Sequence, residues 1–117
     1  MQAGISKGAF RQDVLEAATP VLVHFWAPWC GICRLIEPSL NLLLTEYGDR
    51  LKLISINADE NLWLASQYRI ATLPTVLLFQ GGQMLYRLDS YQKREELRSI
   101  LQESLVAPTS AKAIRSL

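Results

Sequence analysis

Hydrophobic and polar residues alternate along the chain with two different periods, which predict its strands and helices. Residues 21–26 form an apolar run with almost no polar alternation, as is typical of a strand covered on both faces. Residues 75–79 form a second such run, whereas residues 51–57 alternate apolar and polar side chains. The glycine pair at 81–82 predicts a hairpin turn into a more polar strand over residues 83–89.

Apolar residues at steps of three and four predict the helices. The longest helix follows Cys30 and ends near Gly48, and we expect Pro38 to kink it. Shorter helices are predicted around residues 9–17 and over residues 61–68, and another lies near the C-terminus. The apolar positions that define the longest and the last helix are Ile36, Leu40, Leu43, Leu44 and Tyr47, and Leu97, Ile100, Leu101 and Leu105.

The order of these elements predicts an α/β fold. Strand-helix-strand units favour parallel pairing, and the hairpin adds an antiparallel pair, so we expect a central mixed sheet with helices on both faces. A chain of 117 residues fits one domain. We place this domain at residues 1–107, and we expect residues 108–117 to be a frayed tail or a short accessory helix.

Composition and charge exclude several classes of protein. Half of the residues are hydrophobic and 20% are charged, which is typical of a globular protein and not of a disordered one. A formal net charge of +1 argues against a nucleic-acid binder. No apolar stretch approaches the ~18 residues of a membrane helix, and the N-terminus lacks an export signal. We therefore expect a cytosolic protein without membrane or nucleic-acid partners.

The two cysteines form a Cys-x-x-Cys motif where a buried strand turns into a helix. Residues i and i+3 of a helix are neighbours, so Cys30 and Cys33 are close to the separation that a disulfide requires. The helix N-terminus also stabilises a thiolate and lowers its pKa. We predict Cys30 as an exposed nucleophile and Cys33 as a more buried resolving thiol.

The motif has two other interpretations. The cysteines of an isolated Cys-x-x-Cys can simply pack in a core, although the strand-to-helix context argues against this. A closed zinc site needs four ligands, and the chain has two thiols and one imidazole, so a metal would require a second subunit. We therefore expect neither a metal nor another cofactor.

The residues around this motif resemble the thioredoxin family. The similar segments are residues 25–33 (FWAPWCGIC), Pro38 and residues 72–75 (TLPT), within a similarity that covers about residues 5–105. The resemblance implies the thioredoxin fold and thiol-disulfide exchange, in which the first cysteine attacks a disulfide and the second resolves the mixed disulfide. It also implies protein disulfides as substrates, an upstream reductase and a monomeric state.

The resemblance further implies a substrate groove beside the cysteines. In the family the proline that corresponds to Pro74 follows a cis peptide bond and faces the cysteines, and the residue before it, here Leu73, pairs its backbone with substrate. The ordinary alternative for these residues is loop packing, which we favour for Tyr91. The remaining residues expected around the groove are Trp29, Gly31, Ile32 and Ser90.

The chain departs from the family pattern between its cysteines and beside the groove. Thioredoxins usually carry Gly-Pro where this chain has Gly31 and Ile32. The isoleucine restores one backbone N–H that proline lacks, which favours a more oxidising couple. It also removes the rigidity of proline, and this loss can change the reduction potential in either direction. The alternative is that Ile32 is a tolerated surface substitution that does not tune the reduction potential. Ser90 replaces a usual glycine, and its side chain is expected to narrow the groove or select partners.

A further departure lies behind the cysteines. His24 occupies the position of a usual buried aspartate, and Ser55 that of its lysine partner. We predict that His24 accepts the proton of Cys33 during resolution, directly or through water, although burial opposes a charged imidazole. The alternative is a neutral core histidine that is hydrogen-bonded to Ser55 or to backbone. These departures predict a reductase with an altered potential or partner range.

Two functions from other classes remain open at this point. One is a noncatalytic interaction module, whose binding would survive serine substitution of both Cys30 and Cys33. The other is a dimer that bridges an iron-sulfur cluster through these cysteines, which would make the purified protein coloured.

Overall fold

The computed structural model describes residues 5–103 and contains a four-stranded mixed sheet, which confirms the predicted fold class. The strands lie in the order β2-β1-β3-β4. Strands β1 and β2 are parallel, whereas β3 is antiparallel to both β1 and β4. The strands are β1 (Val21–Trp26), β2 (Lys52–Asn57), β3 (Thr75–Gln80) and β4 (Gln83–Leu88).

In the described part of the chain, four α-helices lie before, between and after these strands. Helix α1 continues as a π-helical turn over Arg11–Leu15, and short 3-10 helices lie at 48–50, 58–60 and 91–93. Within residues 5–103, no helix is long and apolar enough to cross a membrane. The helices are α1 (Lys7–Phe10), α2 (Gly31–Tyr47), α3 (Leu62–Gln67) and α4 (Glu96–Leu101).

The first helical segment begins and ends two residues before the predicted range of 9–17. It starts at Lys7 because the side chain of Ser6 accepts a hydrogen bond from the N–H of Ala9 at 3.0 Å, which caps the helix. The π-helical turn then ends at Leu15. The predicted boundaries were therefore wrong, since the capping serine outweighs the apolar periodicity.

Helix α2 begins directly after Cys30 and includes the buried Cys33. It runs unbroken through Pro38 to Tyr47, and Gly48 ends it with a φ of 55°, a conformation that favours glycine. The glycines of the β3–β4 hairpin, Gly81 and Gly82, also have positive φ angles, of 62° and 82°, as the predicted turn requires.

The sheet separates two hydrophobic clusters. One lies against α2 and α4 and includes Leu22, Leu40 and Leu97, whereas the other lies against α1 and α3 and includes Val21 and Val23. Because successive side chains of a strand point to opposite faces, His24 lies on the face of Leu22, toward α2. The residues predicted in the tail, 108–117, and Leu105 lie outside the described residues.

Candidate active site

The two cysteines form a disulfide at the start of α2, with their Cα atoms 5.4 Å apart. Cys30 is the N-cap residue, and its Sγ accepts a hydrogen bond from the N–H of Cys33 at 3.2 Å. The exposed fractions are 7% for Cys30 and 1% for Cys33. Cys33 is the more buried cysteine, as predicted, but Cys30 is largely buried too, because Ala27 and the partly buried Leu73 pack around the pair.

The adjacent Trp29 is 70% exposed, and a hydrogen bond fixes its ring. Its Nε1 donates to Oδ2 of Asp59 at 2.9 Å, and the N–H of Asp59 donates to Oδ1 of Asn57 at 2.9 Å. Sequence reasoning missed this role of Asp59. The predicted parallel pairing of the strands over residues 21–26 and 51–57 was the available signal, since residues that follow the same ends of two parallel strands lie close together. The structure pairs Trp26 with Asn57 at these ends.

Leu73 and Pro74 lie directly before β3. Their peptide bond is cis, as the resemblance implies, and Pro74 is buried. The side chain of Leu73 packs against the cysteine cluster. Two hydroxyl groups fasten this segment: Thr75 donates to the carbonyl of Thr72 at 2.6 Å, and Thr72 donates to that of Asp89 at 3.3 Å. The structure therefore brings Leu73 to the two cysteines.

The other residues expected at the groove differ in their surroundings. Gly31 is exposed, and Ile32 is 49% exposed. Ser90 is partly buried, and its Oγ accepts a hydrogen bond from the N–H of Gln92 at 3.3 Å, which caps a 3-10 turn. Tyr91 packs against the cluster between the sheet and α2. The described contacts of Ser90 and Tyr91 are thus those of an ordered loop.

His24 lies in the middle of the sheet, next to Ser55 on β2 and Val76 on β3. The residue is 1% exposed, and its Nε2 has no hydrogen-bond partner among residues 5–103. Burial lowers the pKa of His24 from 6.5 to about 4, because the charged imidazolium loses its hydration. The side chain is therefore neutral near pH 7.

Two pockets lie near β2. The smaller, of about 160 Å³, is next to His24. The larger, of about 370 Å³, follows β2 and includes Trp26 and Asn57, but neither cysteine lines it. Within residues 5–103, no group of three histidine, cysteine or acidic side chains is placed to hold a metal ion. The residues that line the smaller pocket are His24, Glu37, Leu40, Asn41, Leu53 and Ser55.

Known proteins are similar to this chain in sequence. Residues 2–103 match the family model for thioredoxin. The chain is 46% identical over 81 residues to thioredoxin 1 of Synechococcus elongatus, covering 69% of this chain and 76% of that protein. It is 40% identical over 101 residues to a thioredoxin of Synechocystis sp., covering 86% of this chain and 94% of the relative. A thioredoxin of Acidithiobacillus ferridurans is 46% identical over 80 residues, with 68% and 74% covered.

Proposed function

Because this chain belongs to the thioredoxin family and is a protein-disulfide oxidoreductase, we propose that Cys30 is its attacking thiol and Cys33 its resolving thiol. The thiolate of Cys30 attacks one sulfur of a substrate disulfide, forms a mixed disulfide and releases the first substrate thiol. Cys33 then loses its proton and attacks Sγ of Cys30, which releases the second thiol. Two electrons pass to the substrate, and the protein is left with the Cys30–Cys33 disulfide.

The observation that carries this assignment is the position of that disulfide at the N-cap of α2. In the dithiol form, the same cap places the N–H of Cys33 and the positive end of a 17-residue helix at Sγ of Cys30. Both favour the thiolate of Cys30 over its thiol. The greater burial of Cys33 leaves Cys30 as the sulfur that a protein substrate reaches.

The substrate groove lies between Trp29 and Leu73. Trp29 and Ile32 present exposed apolar side chains, and Leu73 is next to the cysteines with its backbone ahead of β3. An extended chain that pairs with this backbone is held with little dependence on its own side chains, which suits protein substrates. Gly31, Pro74 and Ser90 complete the proposed groove.

His24 is proposed as the proton acceptor for Cys33. The side chain faces α2, and the unpartnered Nε2 leaves the neutral imidazole with an unused hydrogen-bonding position. Burial opposes the imidazolium, but a thiolate at Cys33, on the helix that His24 faces, is a negative charge that favours it. The two charges arise together as the proton moves.

The proposed reductase has a less negative potential than an ordinary thioredoxin, for which the value is roughly −270 mV. Ile32 supplies a backbone N–H in the first turn of α2, where a proline has none. His24 places a neutral side chain where a carboxylate would oppose the thiolate. Both changes stabilise the dithiol form and make the disulfide more oxidising.

The substitution Ile32→Pro tests the first of these causes. Removal of the N–H is expected to lower the reduction potential by roughly 30 mV, which corresponds to about 1.4 kcal/mol for two electrons. Equilibration in glutathione buffers, followed by thiol labelling and mass spectrometry, measures the potential. Ile32→Leu is the matched control, since it keeps both the N–H and an apolar side chain. Equal potentials for the two variants would refute this origin of the altered couple.

The cellular setting is proposed from the same family. We place the protein in the cytosol as a monomer that an upstream reductase returns to the dithiol form. Ser90 at the groove and His24 behind it restrict the range of partners, so the reductase of ordinary thioredoxins is expected to reduce this protein slowly. A side-by-side reduction assay with that enzyme tests this expectation.

A further inference from the structure

A pocket of about 160 Å³ lies between α2 and β2 on the His24 side of the sheet. Glu37 and Asn41 line it from α2, and Ser55 lines it from β2. These three residues are exposed, whereas His24 is 1% exposed, so the pocket joins a buried imidazole to the surface. Its volume and polar side chains suit several water molecules.

The position of Glu37 relates this pocket to the cysteines. Cys33 and Glu37 are four residues apart on α2, so they lie on one face of the helix. Cys33 is buried at one end of this face, and Glu37 is exposed one turn further along. His24 faces the same helix from β1, and it shares the pocket with Glu37.

We propose that this pocket is the proton exit of the active site and that Glu37 is a positioning residue that receives the proton from His24 through water. The proposal rests on the proposed role of His24. As Cys33 attacks, the proton of its thiol passes to His24, then through pocket water to the carboxylate of Glu37, and finally to solvent. The sulfur of Cys33 keeps its electron pair, which forms the new bond to Sγ of Cys30. The bond from Cys30 to the substrate sulfur breaks, and the substrate leaves as a thiolate.

The burial of His24 is the reason why such an exit is needed. An imidazolium without a hydrogen-bonded anion is unstable at a buried site, so the proton must leave soon after it arrives. Among the residues that line the pocket, Glu37 is the one carboxylate. The residues paired with His24 on the neighbouring strands are Ser55 on β2 and Val76 on β3, and neither side chain titrates in the relevant range.

The test measures resolution separately from attack. The reduced protein is mixed with bis(2-hydroxyethyl) disulfide, a small uncharged probe, at concentrations where the rate of Cys30–Cys33 disulfide formation no longer rises with the probe. Acid quenching and mass spectrometry then follow the decay of the mixed disulfide. Glu37→Gln is expected to slow this decay roughly three- to tenfold near pH 7, below the 10²–10⁴ of a direct base, without slowing attack.

Three further variants make the test specific. Glu16→Gln removes the same charge from an exposed residue outside the pocket and is expected to resolve at the wild-type rate. Glu37→Asp keeps the carboxylate and is expected to restore most of the rate. In a His24→Asn background, Glu37→Gln is expected to cause no additional slowing, because the proton no longer passes through the imidazole.

Each contrary result would disprove a specific proposed step. If Glu37→Gln resolves like Glu16→Gln while His24→Asn is slow, the exit is wrong and the role of His24 stands. If Glu37→Gln slows resolution equally with and without His24, the exit is also wrong. If His24→Asn resolves at the wild-type rate, both roles fail. If the wild-type protein forms no mixed disulfide, the proposed thiol exchange itself is wrong.

Discussion

The burial of His24 makes the free energy of unfolding depend on pH. Burial lowers its pKa from 6.5 to about 4, so the unfolded state binds more protons than the folded state between these values. The free energy of unfolding therefore contains a contribution from the neutral imidazole. This contribution is present in full above pH 6.5 and is lost as the pH falls toward 4. This loss is about 3 kcal/mol, from 1.36 kcal/mol for each pKa unit.

Urea unfolding of the disulfide form at pH 7 and pH 4 measures this effect. The free energy of unfolding of the wild-type protein is expected to fall by about 3 kcal/mol more than that of His24→Asn, which cannot bind the proton. The comparison between variants cancels the contribution of the carboxylates. An equal fall in both proteins would show that His24 is not buried in its neutral form.

At the scale of single residues, the sequence predicted which residues form the site better than it predicted what contacts them. It placed Cys33 as the buried cysteine, but it did not reveal that Cys30 is 7% exposed or that Asp59 holds the ring of Trp29. Both depend on contacts between segments that are distant in the chain. The alternative interpretation of His24 was a hydrogen bond to Ser55 or to backbone. The Nε2 of His24 makes neither bond in the described part of the chain.

At the scale of elements, local signals predicted the strands well and the helix boundaries less well. The apolar run was sufficient to predict β1, and the glycine pair was sufficient to predict the β3–β4 hairpin. Strand burial and turn geometry depend directly on those residue types. Helix α1 begins early because Ser6 caps it, and Asn61 precedes α3 without capping it. The side chain of Asn61 instead accepts the N–H of Ile5 and donates to the carbonyl of Asn57. No periodicity reveals such long-range bonds.

At the scale of the whole molecule, the sheet with a hydrophobic cluster on each face followed from the order of the elements. The described core includes residues from Phe10 to Leu101, and the domain boundary at residue 107 stays a prediction. Deletion of residues 108–117 is therefore expected to change the Tm by less than about 4 °C, which corresponds to under ~1 kcal/mol. Leu101→Ala, in contrast, removes a fully buried side chain and is expected to cost about 2–5 kcal/mol.

Thermal unfolding followed by circular dichroism compares the deleted chain with Leu101→Ala and the full chain. A loss of stability on deletion that matches the loss in Leu101→Ala would place part of the domain beyond residue 107.

Single substitutions of the two cysteines test whether Cys30 attacks a protein disulfide and Cys33 resolves the mixed disulfide. Insulin serves as a protein-disulfide probe for the reduced forms of the wild type, Cys30→Ser and Cys33→Ser, with mass spectrometry as the readout. We predict that Cys33→Ser accumulates a mixed disulfide at Cys30, that Cys30→Ser forms none at comparable rates, and that the wild type ends as the Cys30–Cys33 disulfide. Insulin reduction that survives both substitutions, or a wild-type protein that never forms this disulfide, would contradict the account.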